Sequence, residues 1–264
     1  MTEAAQDALI TRRREGRIEI ITLDRPDALN AVSDEMARQV ATAFREVAAD
    51  NDAWVVLLTA AGSKAFCVGA DLKERAAFSL EDFHRNREHV REMFAAIREL
   101  PQPAIASVFG FVLGGGFELA LSCDLLVAAE GTKLALPEPR VGLLPAGGGT
   151  QLLARRVGTG RAKELIFRGR RIDASEAQRI GIAAEVTRRE ELERRSLDLA
   201  ADLCNASPIA LREAKRAVDQ GFGSGLEEAI ELENDAWQVV IASEDRREGI
   251  AAFNEKRDPQ WKNR

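Results

Sequence analysis

Residues 110–120 read GFVLGGGFELA and residues 145–151 read PAGGGTQ, so two triple-glycine runs each stand directly before a predicted helix. A glycine run lets the backbone approach a ligand closely, and the N–H groups of a helix's first turn have no partner inside the helix. The helix dipole adds partial positive charge at that end. Each run therefore predicts a place for an anion or a developing oxyanion, or, as the alternative, a closely packed turn.

Around the glycine runs, predicted strands alternate with predicted helices. Trp54–Thr59 and Ala104–Val108 are continuous apolar runs, which are typical of strands buried on both faces. From about Arg161 onward the pattern predicts mostly helix. This order predicts an α/β fold, with a core at residues 1–200 and a helical region at residues 201–264.

The composition excludes several kinds of chemistry. The 264 residues include 37 Lys+Arg and 43 Asp+Glu, a net charge of −6, which gives no reason to expect nucleic acid as a partner. The absence of Tyr excludes phenol chemistry, and two His leave few candidate bases. Three scattered Cys do not suit a thiolate metal site or a disulfide framework, so we expect no metal. Without a signal or membrane segment, the sequence predicts a cytoplasmic protein.

Two acidic residues stand out because of their neighbours. Glu118 lies three residues after Gly115 in an apolar segment, where an isolated carboxylate is costly unless it is paired or used. Glu138 stands between Pro137 and Pro139, which fix the local backbone. Each alone could be a helix-start acid or a rim residue. Together they predict a paired-carboxylate site, in which one raised pKa allows one group to act as an acid and the other as a base.

Three blocks of the sequence resemble the signatures of the enoyl-CoA hydratase/isomerase (crotonase) family: Phe66–Glu74, Gly110–Ala120 and Pro137–Gln151. The resemblance extends from LDRP at residues 23–26 to FNEKR at residues 253–257 and so covers nearly the whole chain. It implies a crotonase-like spiral of ββα units with a C-terminal helical trimerisation region. It also implies an acyl-CoA thioester substrate and a homotrimer or a dimer of trimers, without attachment to a membrane.

The resemblance implies specific catalytic roles. The backbone N–H groups of Ala70 and Gly115 would hold the thioester oxygen of an enolate. Glu118 and Glu138 would flank one water, as in the two-glutamate hydratases, and add it to a trans-2-enoyl-CoA to give a 3-hydroxyacyl-CoA. We expect Glu138 to donate the proton to C2 and Glu118 to activate the water. No separate cofactor is expected, because coenzyme A is part of the substrate.

The resemblance also implies which residues bind the CoA portion of the substrate. The stretch along the pantetheine and nucleotide is matched by Arg25, Ala28 and Leu29. The loop around the adenine and thioester is matched by Ala70, Asp71, Leu72, Lys73 and Gly115. The tail that reaches a neighbouring subunit is matched by Phe253 and Lys256.

Other reactions of the family remain open from the sequence. The Ala65–Arg75 block resembles methylglutaconyl-CoA hydratases, whereas Gly114–Leu121 and Glu255–Lys262 resemble carnitinyl-CoA dehydratases. Double-bond isomerisation is a further alternative, but it can use a single acid. The presence of both glutamates therefore favours water chemistry in fatty-acid β-oxidation or related acyl-CoA breakdown.

A function of another class, RNA binding, is the less favoured alternative. Several arginines on the long predicted helix could form a basic stripe, but glutamates are interleaved with them, which is typical of an ordinary mixed surface. The arginines are Arg85, Arg87, Arg91 and Arg98, and the glutamates are Glu81, Glu88, Glu92 and Glu99.

Overall fold

The computed structural model describes residues 8–264, and within that range the chain forms ten strands and eleven α-helices. The strands are β1 (Ile10–Glu15), β2 (Ile18–Leu23), β3 (Val55–Ala60), β4 (Ala65–Cys67), β5 (Ala104–Val108), β6 (Phe111–Leu113), β7 (Leu125–Ala129), β8 (Lys133–Ala135), β9 (Ile172–Asp173) and β10 (Glu185–Thr187). The helices are α1 (Asp34–Ala48), α2 (Leu72–Arg75), α3 (Leu80–Arg98), α4 (Gly115–Ser122), α5 (Gly149–Val157), α6 (Thr159–Arg168), α7 (Ala174–Arg179), α8 (Leu192–Cys204), α9 (Pro208–Gly221), α10 (Leu226–Ala242) and α11 (Glu244–Glu255). Short 3-10 turns lie at Pro26–Ala28, Glu138–Val141 and Arg189–Glu191.

The strands form two sheets. The larger sheet has the order β1-β2-β3-β5-β7-β10, in which β1 is antiparallel to β2 and the other pairs are parallel. The smaller sheet has the order β4-β6-β8-β9, with only β9 antiparallel to its neighbour. Parallel neighbours need crossover connections, and here helices supply most of them, as the predicted α/β class requires.

Both faces of the larger sheet are buried, which explains its continuous apolar runs. On β3, Val56 and Leu58 belong to the hydrophobic core that contains α1, α3 and α4. Val55 and Leu57 face the other way, into a second core with α8. Because successive side chains of a strand point to opposite faces, a strand covered on both faces must be apolar at every position. The predicted buried strands at 54–59 and 104–108 are therefore confirmed.

Helices α1 and α3 pack on each other, and both begin at a serine cap. The Ser33 hydroxyl accepts a hydrogen bond from the Met36 N–H. Ser79 and Asp82 form a reciprocal capping box, in which each side chain accepts the other's backbone N–H. These caps satisfy donors that a helix start leaves free. They fix where α3 begins, and α3 forms one wall of the cavity described below.

Close packing, as well as the predicted ligand, explains why glycine occupies the two runs. A Cβ at Gly116 would lie 2.2 Å from the Cys67 carbonyl oxygen, and one at Gly147 would lie 2.2 Å from the Phe94 ring. Gly114 adopts a φ of +52°, a left-handed conformation that disfavours side chains. The close-packing alternative is therefore correct for part of each run, and it sets α4 against β4 and α5 against α3.

After Arg161, where the pattern predicts mostly helix, the chain contains two short strands that the pattern did not show. Strand β9 pairs with β8, and β10 extends the larger sheet beside β7. Segments of two or three residues carry no detectable alternation, so sequence periodicity does not reveal them. The predicted division at residue 200 falls within α8, and it stays a prediction. None of the helices in residues 8–264 is long and apolar enough to span a membrane.

A half-buried ion pair joins α9 to the ends of two core strands. The Lys215 ammonium lies 2.7 Å from Asp124 Oδ2 and donates to the Gln102 carbonyl oxygen at 3.0 Å. The same Asp124 oxygen accepts the Ala104 N–H at 2.7 Å. One carboxylate oxygen therefore connects the first residue of β5 with a helix more than ninety residues later in the chain.

We expect Gly116→Ala to destabilise the fold. The added methyl group would overlap the Cys67 carbonyl, and overpacking of this kind lowers the free energy of unfolding by about 1–3 kcal/mol. Urea unfolding followed by circular dichroism, at fixed protein concentration, measures the change. Gly160→Ala in α6 is the matched control, since a Cβ there meets no atom within 4 Å. The control should be neutral or stabilising by up to about 1 kcal/mol; equal effects in the two variants would contradict the packing argument.

Candidate active site

A cavity of about 470 Å³ lies between α3, the loop before α2, the start of α4 and the 3-10 turn at Glu138–Val141. Its apolar lining includes Phe83, Val90, Met93, Phe94, Leu143 and Leu144. The predicted site residues that line it are Ala70, Leu72, Gly115, Glu118 and Glu138. The fold thus brings both predicted carboxylates and both predicted amide donors to one cavity.

Glu118 is a buried carboxylate that backbone amides hold in place. It lies in the first turn of α4 and is only 3% exposed. Its Oε1 atom accepts the N–H groups of Gly147 at 2.7 Å and Gly149 at 2.8 Å. A Cβ at Gly149 would lie 2.9 Å from that oxygen, so glycine leaves room for the carboxylate. The anion at the start of α5 is therefore a side chain of the protein itself.

Two arginines of α3 support the loop that holds Glu118. Arg87 donates to the Ala146 carbonyl oxygen at 2.7 Å, and Arg98 donates to the Gly147 carbonyl oxygen at 3.3 Å. The Arg87 contact holds the 146–147 peptide, whose N–H faces the carboxylate, and the Arg98 contact holds the next peptide of the loop. Burial raises the pKa of Glu118, and the two N–H groups and both guanidinium charges oppose that rise without cancelling it.

Glu138 has the opposite environment. Its carboxyl lies against Gly114, where a Cβ would come within 2.9 Å of Oε1. Its Oε2 atom is buried and has no hydrogen-bond partner among the described residues. Burial raises the pKa of Glu138 to about 7, its own N–H lowers it, and the charge of Glu118 raises it further. An unpartnered buried carboxylate is costly, so this environment favours the protonated form near neutral pH.

The two predicted amide donors lie on neighbouring backbone segments. Val32 fixes the loop, since its N–H donates to the Gly69 carbonyl at 2.8 Å and its carbonyl accepts the Asp71 N–H at 3.0 Å. A Cβ at Gly115 would lie 3.8 Å from the Ala70 nitrogen. Within residues 8–264 neither the Ala70 N–H nor the Gly115 N–H donates to another group. Two unpaired donors beside two carboxyls form an arrangement that can stabilise a developing oxyanion.

Most residues that the resemblance assigns to CoA lie outside this cavity. Arg25 forms an ion pair with Asp71 at 2.6 Å and donates to the Ala31 carbonyl at 3.1 Å. Asp71 also caps α2, accepting the N–H groups of Lys73 and Glu74. Burial raises the pKa of Asp71, but Arg25 and these N–H groups outweigh it and hold the pKa below the ordinary value. Arg25 and Asp71 therefore brace the loop that carries Ala70.

The remaining predicted CoA residues are at the surface. Ala28 and Leu29 end the 3-10 turn at Pro26–Ala28, and Leu29 has a φ of +54°. Lys73 is exposed on α2, while Phe253 and Lys256 are exposed at the end of α11. Their assignment to CoA stays a prediction.

Sequence reasoning missed several residues around the site. Arg87 and Arg98 were grouped with surface arginines, but they hold the 146–147 peptides, and a third arginine, Arg75, lines the cavity. Periodicity placed Arg87 and Arg98 on a helix, but no pattern in the sequence shows which carbonyl a long side chain reaches. Among residues 8–264 no three His, Cys, Asp or Glu side chains are grouped as a metal site requires.

Comparison with known proteins extends over almost the whole chain. The family model for enoyl-CoA hydratase/isomerase matches residues 13–264. The Bacillus subtilis protein YngF, whose name places it among enoyl-CoA hydratases/isomerases, is 41% identical over 97% of this chain and 98% of its own. The mitochondrial methylglutaconyl-CoA hydratase of Mus musculus is 36% identical over 93% of this chain and 79% of its own.

A solved structure agrees with these relatives. The crystal structure of an enoyl-CoA hydratase from Bacillus anthracis matches with a TM-score of 0.95 and 38% identity, over 97% of this chain and all of that one. The α/β fold with its helical C-terminal part and the resemblance found in the sequence blocks are thus confirmed. On the extent of these matches, the chain is an enzyme of the enoyl-CoA hydratase/isomerase (crotonase) family.

Proposed function

We propose that the protein is an enoyl-CoA hydratase, which adds water to a trans-2-enoyl-CoA to give a 3-hydroxyacyl-CoA. The observation that carries the proposal is the contrast between two carboxyls in one cavity. Glu118 is held by two amide N–H groups, whereas Glu138 has an unpartnered oxygen and a pKa raised to about 7. Burial raises both pKa values, but two N–H groups and two guanidinium charges favour the ionised form of Glu118, which suits Glu118 as the base and Glu138 as the acid.

The reaction follows from these environments. Glu118, ionised, takes a proton from water as the water oxygen bonds to C3 of the substrate. The electron pair of the C2–C3 double bond moves toward the thioester, and its oxygen accepts hydrogen bonds from the Ala70 and Gly115 N–H groups. Glu138, protonated, then gives its proton to C2. Proton exchange with solvent returns Glu118 to the ionised form and Glu138 to the acid.

The CoA portion is assigned by resemblance to the family. Arg25, Ala28, Leu29, Asp71 and Lys73 would lie along it, outside the cavity that holds the reacting atoms. Phe253 is 83% exposed at the end of α11 and Lys256 lies beside it, so residues 8–264 leave this tip uncovered. We propose that these two residues contact the CoA of a neighbouring subunit in a homotrimer or a dimer of trimers.

Glu138→Gln should remove the proton donor while leaving the shape of the site unchanged. We expect kcat for hydration of crotonyl-CoA to fall about 10²- to 10⁴-fold, the usual contribution of a positioned general acid. Calorimetric titration with 3-hydroxybutyryl-CoA should give a Kd close to that of the unmodified enzyme. The exposed Glu130 provides the control Glu130→Gln, which should retain full activity. Undiminished turnover in Glu138→Gln would contradict the proposed mechanism.

The pH profile tests the assignment of acid and base. Glu138 must be protonated, and its pKa is about 7, so kcat/KM should fall as pH rises through this value, by about tenfold per unit well above it. Glu118 must be ionised, so kcat/KM should also fall at low pH, from above the ordinary range of a glutamate. Initial rates with crotonyl-CoA between pH 5 and 9 provide the measurement. A rise through pH 7 to 9 would reverse the two roles.

A further inference from the structure

Arg75 is a cavity residue whose charge has no partner. It is the last residue of α2, it is half-buried, and it lines the same cavity as Glu118 and Glu138. Within residues 8–264 its guanidinium forms no ion pair or hydrogen bond. Burial lowers the pKa of Arg75, Glu74 opposes this, and Arg87 adds to it. A guanidinium nevertheless remains charged in proteins, so this site holds a positive charge without a direct partner.

The nearby carboxylates are engaged elsewhere. Glu74 precedes Arg75 in sequence, but its oxygens accept the Asp34 N–H at 3.0 and 3.3 Å. Asp34 in turn accepts hydrogen bonds from Asn86 and His89, both at 2.9 Å. By contrast, Arg25 forms an ion pair with Asp71, which lies at the start of α2. Arg75 therefore forms no direct ion pair within residues 8–264, although the charge of Glu74 still acts on it.

The rest of the cavity has the same sign of charge. Apart from the two glutamates assigned to catalysis, its charged lining residues within the described chain are Arg75, Arg87 and Arg140. Arg87 donates to a carbonyl oxygen, as described, and Arg140 donates to the Arg168 carbonyl oxygen at 2.9 Å. Carbonyl oxygens satisfy donors but do not neutralise charge. Apart from the two glutamates, every charged residue that lines this cavity is therefore an arginine.

Arg75 lines the same cavity as the two carboxyls, and so does Arg87. The charged residues assigned to CoA, among them Arg25 and Lys73, do not line the cavity. The walls nearby are the apolar residues of α3, which suit acyl carbons.

We propose that the preferred substrate is a 2-enoyl-CoA whose acyl chain ends in a carboxylate, and that the Arg75 guanidinium binds this carboxylate. The proposal rests on the proposed hydratase function and names the substrate class of the same site. A guanidinium and a carboxylate form two parallel hydrogen bonds, which give both energy and orientation. The substrate carboxylate would form the ion pair that Arg75 lacks within residues 8–264. Arg87 provides a second positive charge in the lining of the same cavity.

The test compares two substrates of nearly equal shape. Glutaconyl-CoA ends in a carboxylate, and 5-methylhex-2-enoyl-CoA carries an isopropyl group in its place. We expect the unmodified enzyme to hydrate glutaconyl-CoA with a kcat/KM about 10- to 100-fold higher, as expected for hydrogen bonds to a charged group. Arg75→Met should abolish this preference and leave the neutral substrate unchanged or improved. Arg91→Met, at an exposed position of α3 outside the cavity, is the control and should keep the preference.

The outcomes separate this proposal from the hydratase proposal. Equal rates with both substrates, unchanged in Arg75→Met, would overturn the substrate class and leave the hydratase function standing. If Arg75→Met weakened the binding of both substrates and of free CoA equally, Arg75 would contact the CoA portion, and the proposed substrate class would also be overturned. If neither substrate is hydrated, the hydratase proposal fails, and the Kd values of the two thioesters in both proteins decide the role of Arg75. Tighter binding of glutaconyl-CoA, lost in Arg75→Met, would support it.

Discussion

The hydrogen bonds from Gly147 and Gly149 to the Glu118 carboxylate are the interaction on which the site depends. A carboxylate that is 3% exposed needs donors, and the unpaired N–H groups around the start of α5 supply them. Residues 147 and 149 must therefore both be glycine, the first because of Phe94 and the second because of the carboxylate. The two glycine runs, separate in sequence, form one structure in which α4 carries the acid and α5 receives it.

Glu138 is the second carboxyl of the site, and it lacks the hydrogen bonds from other residues that hold Glu118. The chain provides no donor to its buried oxygen among the described residues, so the proton stays on the carboxyl up to a higher pH. Both groups are glutamates of the same intrinsic acidity, and their surroundings distinguish them: two N–H groups and the charges of Arg87 and Arg98 favour the ionised form of Glu118. The proposed division into acid and base follows from this difference.

The sequence predicted those features that depend on residues close to one another in the chain. Trp54–Thr59 and Ala104–Val108 were predicted as buried strands because nearly every position is apolar. Glu118 and Glu138 stood out because of their immediate neighbours. The contact between Glu118 and Gly147 joins residues 29 positions apart, and the isolation of Arg75 depends on every acid that folds elsewhere. Strands β9 and β10 were missed because two or three residues are too few to show a period.

Asp124 gives the C-terminal helices a rigid attachment to the centre of the molecule. Its single Oδ2 atom holds both the Ala104 N–H and the Lys215 ammonium, so a displacement of α9 acts directly on the first residue of a central strand. That strand is followed within a few residues by β6 and by Gly114–Gly115. Helix α9 is therefore attached, through one carboxylate oxygen, to the strand from which the chain continues to the unpaired Gly115 N–H.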